Sequence, residues 1–265
     1  MRLSDRQRQA IIGFAMLCVA GAMLFLPTIY VVGLWLSPPR PVPSTADIPR
    51  VFEDAVWARI DGGRATEIRG VNPVNLFTLL GCTVLGDIGD PPEQAVKKQN
   101  CREQLPALEA AGFFSRMHMR DEGVLPGNIR YPFAQIATGA WITRHWSKKE
   151  LVESLAARAD FGFGWRGADT ASRGYFGKPL KAVTLPQAAL LAAYVGSVGS
   201  SDLGMASNWW DPWCGPVYTA TRLRRPVLEK MRRNLVIDDV AFEAADRSAL
   251  GLVPDPPPGH KPCPE

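Results

Sequence analysis

Between residues 158 and 178 four cations, Arg158, Arg166, Arg173 and Lys178, stand among closely spaced glycines. If they converge, such groups hold an anion, a pyrophosphate for example. If they spread over a surface they are an ordinary solvated face, and spacing alone fits both readings. The same stretch spells two literal motifs. Residues Gly162 to Gly167 match a dinucleotide fingerprint, and Asp160-Phe161-Gly162 matches a kinase magnesium motif. No buried strand precedes the first, and no lysine strand or His-Arg-Asp loop accompanies the second. Both are read as coincidences, and the glycines as a tight connection between helices.

Other reactive groups are sparser. Trp209, Trp210 and Trp213 surround Asp211-Pro212. They could stack on sugars or rest at a bilayer interface, but packing beneath a loop is the simpler expectation. His118 and His145 have no evident partners in the sequence and are expected to be structural or surface groups. Cys82, Cys101, Cys214 and Cys263 form an even set that allows three pairings. The sequence-local choice is Cys82–Cys101 with Cys214–Cys263. No Cys-x-x-Cys occurs and the histidines are scattered, so no metal site is expected from spacing.

The elements that must position these groups read as helices. Ser147-Lys148-Lys149-Glu150 is a capping box that opens a helix with Leu151, Val152, Leu155 and Ala159 on one face. Thr184-Leu185-Pro186-Gln187 is a second box, opening an Ala/Leu helix through Tyr194. Val227, Leu228, Met231 and Leu235 mark a third. Ile48 to Leu80 reads as two short helices joined at Gly62-Gly63. Residues 81–128 read as irregular, with one or two helices between Glu93 and Ala111. No run of alternating strands is found, so the fold class is mainly α.

From Ala10 to Leu36 there is no charged residue. About 20 apolar residues cross a bilayer as a helix. Residues 1–9, with Arg2, Arg6 and Arg8, are then a cytoplasmic tail, 10–36 a transmembrane helix, and 37–47 a Pro-rich extended linker. Residues 48–253 form the folded domain and 254–265 a Pro-rich tail. A single pass in a bacterial inner membrane puts the domain in the periplasm, where cysteines oxidise. The chain has 265 residues, 46% of them hydrophobic, enough for a real core. The net charge of +4 carries no clustered basic face of the nucleic-acid-binding kind.

The run from Glu150 to Lys178, ELVESLAARADFGFGWRGADTASRGYFGK, resembles a segment of glycosyltransferase family 51, the peptidoglycan glycosyltransferases and transglycosylase domains of penicillin-binding proteins. Phe161, Gly162, Gly164, Gly167, Ala171, Tyr175, Phe176, Gly177 and Lys178 fall in family register without a gap. Leu185 and Gln187 to Ala192 follow the pattern, as do Arg224-Arg225, Val227-Leu228 and Met231. Upstream, Ile48-Pro49, Ala55 and Gly70 to Pro73 resemble the opening block. The likeness covers most of residues 48 to 245.

This resemblance implies a lysozyme-like fold and a lipid II polymerase. In that reaction a sugar hydroxyl attacks the anomeric carbon of a polyprenyl-pyrophosphate donor. A general base must take the proton, and positive charge or a divalent metal must meet the leaving group. The family base begins a Glu-Asp-x-x-Phe block. Registering from Ile48-Pro49 puts Ile60 at the base, while registering from Gly70-Val71 puts Asp61 there; Glu67 is the nearby substitute. The second family acid falls on Gln135, which cannot ionise. Lys178 ranks first among the anion-binding cations. The resemblance therefore implies a membrane-anchored relative with a degraded catalytic site. Such a relative would bind lipid II or nascent glycan, or support other cell-wall synthesis proteins. An active monofunctional transglycosylase and a non-catalytic envelope scaffold are the alternatives.

Overall fold

A computed structural model describes residues 13, 21, 25, 27–60, 62–63, 67–72, 94–195, 213 and 220–255. Among them the fold is helical: residues 27–36, then α1 (Arg50–Arg59), α2 (Gln94–Asp121), α3 (Arg130–His145), α4 (Lys148–Arg158), α5 (Ala168–Phe176), a 3-10 turn (Leu180–Ala182), α6 (Leu185–Tyr194), α7 (Ala220–Arg233) and α8 (Asp239–Arg247). No described residue lies in a strand; the nearest thing is an isolated bridge between Asp160 and Arg166.

Two helix groups share one core. α6 is buried from Pro186 to Tyr194 and packs against α1, α7 and α8. An Ala/Leu helix that is apolar all round belongs inside a protein. α2, α3 and α4 form the second group, which α4 joins to α1. Both capping boxes are formed. Glu150 receives the Ser147 N–H at 2.7 Å, and Gln187 Oε1 receives the Thr184 N–H at 2.9 Å.

Two helices run differently from the sequence reading. α2 is one 28-residue helix that passes through Pro106 and continues to Asp121, ten residues beyond Ala111. A proline inside a helix costs ~3 kcal/mol, and burial of Ala107, Ala110, Ala111, Phe114 and Met119 offsets it. Gly112 hid the periodicity in the sequence, and its backbone is where Gly139 of α3 makes its approach: a Cβ on Gly139 would stand 3.7 Å from the Gly112 nitrogen. α7, in turn, ends at Arg233, so Leu235 is not on the helix. It sits at φ 56° and is 65% exposed. The chain doubles back there, with the Val236 N–H on the Met231 carbonyl at 2.8 Å.

Residues 37–47 form neither helix nor strand and are fastened to the domain along their length. Ser37 Oγ lies 3.0 Å from Thr138 Oγ1, Pro39 O lies 2.8 Å from His118 Nε2, and the Ser44 N–H donates to Ser154 Oγ at 2.8 Å. His118 is thus a buried structural group; its Nδ1 has no hydrogen-bond partner among the described residues. His145 stacks on Trp141 and bonds that residue's carbonyl. Among the described residues no helix is long and apolar enough to cross a membrane. Most of residues 10–26 lie outside them, as do residues 73–80, Trp209 and Trp210; where the sequence predicts a second helix before Leu80, residues 67–72 are not helical.

Candidate functional site

The run that carries the family resemblance folds into a closed loop between α4 and α5. Three bonds shut it: Phe161 N–H to Trp165 O, Trp165 N–H to Gly162 O, and Gly167 N–H to Ala159 O, each 2.9 Å. Gly162, Phe163 and Gly164 take successive positive φ values of 86°, 53° and 75°. Glycine adopts these freely, whereas Phe163 is strained there. The Tyr175 hydroxyl pins the loop to α5 by donating to Phe161 O at 2.6 Å, and its ring is fully buried. Trp165 meets that ring edge-on at 4.7 Å; Tyr194 and Trp213 stack on it, each at 5.5 Å. Trp213 also donates to Val253 O, so it packs against the loop as expected.

An open cleft of about 330 Å³ lies beside the loop, lined by residues 46–48, 156–157, 166–170 and Leu180. Its polar groups include Asp47, Arg166, Asp169 and Thr170. Arg166 Nη2 holds both carboxylate oxygens of Asp121, at the end of α2, while its Nε donates to Arg158 O. Asp169 receives the Leu180 N–H and the Arg173 guanidinium, both at 2.8 Å. Those bonds, the backbone one first, hold its carboxyl below the ordinary carboxylate value.

The sequence-predicted cations therefore separate. Arg166 meets Arg158 at its backbone carbonyl, while the Arg158 guanidinium covers the Phe114 ring at 5.2 Å. Arg166 and Arg173 are each engaged by a carboxylate. Lys178 is half-buried and outside the cleft lining; its carbonyl receives the Ser172 hydroxyl. Two of the four cations thus enter any anion site already paired.

Of the expected acid positions, Ile60, Glu67 and Gln135 do not line the cleft. Ile60 caps the C-terminus of α1 and is 3% exposed. Asp61 lies outside the described residues. The next residue, Gly62, is clamped under Trp57: the indole N–H donates to Gly62 O at 2.8 Å, and a Cβ on Gly62 would meet that nitrogen at 2.3 Å. Lys148 Nζ stands 5.3 Å over the same indole, 3.4 Å from Glu53 and 3.8 Å from Asp54. Sequence reasoning missed this cluster, whose only local signal is a lysine facing the apolar side of its helix. Glu67 is exposed. Gln135 is half-buried on α3, where its carbonyl receives the Ser115 hydroxyl. Neither lines the cleft.

Cys82, Cys214 and Cys263 lie outside the described residues; of Cys101 only the backbone is described, on α2. Among the described residues no three His, Cys, Asp or Glu groups gather to hold a metal ion. They do not supply a site for the divalent metal that the resemblance allows.

Comparison with known proteins meets this geometry in the middle of the chain. A family model described as Transglycosylase matches residues 127–231, which take in α3 to α6, the closed loop and most of α7. Over 48 residues the chain is 52% identical to the biosynthetic peptidoglycan transglycosylase of Mannheimia succiniciproducens, a stretch of 18% of this chain and 20% of that protein. The chain thus matches about a fifth of that relative's length. The glycines, Tyr175 and the α6 helix that carried the resemblance all fall within the matched region, and over residues 127–231 this chain is similar to the transglycosylase family.

Proposed function

We propose that the chain is a membrane-anchored, lysozyme-like relative of the peptidoglycan glycosyltransferases that binds lipid II or nascent glycan and has little polymerase activity. Ile60 carries this reading. Registered from Ile48-Pro49, it occupies the place of the family's general base, and it is a buried alkyl group at the end of α1. An alkyl side chain accepts no proton, and a missing general base costs about 10²–10⁴ in rate. Gln135 at the second acid position is a neutral amide. In the cleft, Asp169 is a poor base because its proton affinity is lowered. The uncharged run from Ala10 to Leu36 supplies the anchor, with the domain in the periplasm.

The test is to incubate the full chain with lipid II, measuring polymer and binding separately. Binding without polymer is the expected result. Polymer that disappears in Asp61→Asn or Glu67→Gln would establish an active transglycosylase instead. Failure to bind either lipid II or glycan would favour an envelope scaffold.

A further inference from the structure

The cleft beside the closed loop has one wall of a different kind. Ala156, Ala157 and residues 166–170 belong to α4, the loop and α5, whereas Ala46, Asp47 and Ile48 come from the segment that precedes α1. Of residues 37–47 in that segment, Pro41 alone is buried. Among the described residues no backbone–backbone hydrogen bond joins 37–47 to the helices. Its bonds to the domain all involve a side chain. Ser37 Oγ meets Thr138 and Ala134 O on α3, Pro39 O meets His118 on α2, and the Ser44 N–H meets Ser154 on α4. A segment with little buried apolar surface and few bonds opens locally at low cost.

The fastening at His118 is incomplete. That residue is 4% exposed, and its Nδ1 has no hydrogen-bond partner among the described residues. A buried polar atom without a partner carries a desolvation cost that water would relieve. Lifting Pro39 lets water reach the ring and recovers part of the bond that is lost. The cleft is also small for its proposed occupant. Its volume of about 330 Å³ lies at the low end of the range for drug-sized ligands, about 300–1,000 Å³. A glycan chain, or a sugar on a polyprenyl pyrophosphate, is larger than such a ligand. α4 and α5 are held in the core through Leu155, Ala168 and Tyr175, and Ala46 and Asp47 lie outside that core.

We infer that residues 37–47 are a releasable strap. Fastened, as here, it narrows the cleft; lifted from His118 and Ser154, it carries Ala46 and Asp47 outward and admits a glycan or its lipid-linked precursor. This device rests on the binding proposed above, with the cleft as its seat. The ligand selects the lifted form, so the cost of lifting lowers its apparent affinity.

Hydrogen exchange on the full chain, read by mass spectrometry over residues 40–48 with and without lipid II, tests it. Pro41 and Pro43 carry no amide, so the Ser44 N–H is prominent in that peptide. Lipid II should speed exchange there several-fold, while the Val71 N–H, bonded to Thr143 Oγ1, should keep its rate. Ser154→Ala removes the acceptor of the Ser44 N–H and adds no bulk. It should tighten lipid II binding several-fold, the opposite of what a damaged fold gives. Unchanged or weaker binding in that variant, with its helical signal intact, would overturn the strap. So would unchanged or slowed exchange over 40–48 in the lipid II complex, and this result decides alone if the variant does not fold. A chain that binds neither lipid II nor glycan defeats the proposed function and the strap together. A chain that binds lipid II with residues 40–48 still protected defeats the strap alone.

Discussion

The closed loop after α4 and the turn after α1 stand in opposite relations to the family pattern. In the loop, the glycines, Phe161 and Tyr175 persist, and each has a packing task. In the turn, Ile60, the place that the proposed register gives the family acid, is buried and the chain folds beneath Trp57. On the proposed reading, interlocked residues outlast chemical ones. Changing Tyr175 or Gly174 damages the core, whereas changing a catalytic acid damages only the reaction.

The strongest way to break that comparison is to remove the loop's central ring. Tyr175→Ala deletes a fully buried aromatic and is expected to destabilise the fold by about 3–5 kcal/mol. Tyr175→Phe keeps the ring but leaves Phe161 O without its donor, at a cost of about 1–3 kcal/mol. Urea unfolding checks both. A near-neutral Tyr175→Ala would show that the loop is not interlocked.

Arg224 extends the comparison to the second matched block. It is 1% exposed, and its fork binds the carbonyls of Asp246 and Ser248 at the end of α8. A cation there satisfies orphan carbonyls and faces the negative end of the helix dipole. Arg224→Ala should cost about 2–3 kcal/mol, as loss of bonds to a charged group does. Arg224→Lys should recover only part, because an ammonium cannot reproduce the planar fork. Full recovery by lysine, seen in the unfolding midpoint, would refute the role of the fork.

Gly174 offers a narrower test. A Cβ there would meet the Trp165 indole at 2.4 Å, while one on Gly164 would meet none of the described residues within 4 Å. Gly174→Ala is therefore a packing insult of about 1–3 kcal/mol. Gly164→Ala tests backbone strain alone, at about 1 kcal/mol, since its φ is 75°. Equal costs in paired unfolding curves would mean that the indole yields.

These contacts also mark what the sequence disclosed. The helical class, both capping boxes and the structural role of the glycines were legible because each rests on residues a few positions apart. The length of α2 was not, since Pro106 and Gly112 obscure a period that burial against α3 enforces. The engagement of Arg166 was equally hidden, because Asp121 lies 45 residues away. Nor could the sequence tell Arg224 the fastener from Arg225 beside it, which is exposed and pairs with Glu229 and Asp246. The candidate acid positions, Ile60 or Asp61 and Gln135, could be named from register. The burial of Ile60 required the fold.

The smallest effect concerns Asp169, a cleft carboxylate beside the closed loop. Its oxygens receive the Leu180 N–H and Arg173, so the charged form is favoured in the folded chain and its proton affinity is lowered. A carboxyl with a depressed folded value contributes stability above its unfolded value, about 3.9 for aspartate, and loses it as pH falls through the folded value. The contribution should therefore be intact at neutral pH and fade only below about pH 4. Asp169 is exposed and its pair with Arg173 is screened, so the effect on the whole fold is small. The carboxyl carbon shift of Asp169, followed by NMR, should move at a pH below the ordinary aspartate midpoint. Asp169→Asn should flatten the acid side of the stability profile slightly. A midpoint at or above the ordinary value would return Asp169 to contention as a proton acceptor, and with it the possibility that this cleft replaces what Ile60 cannot do.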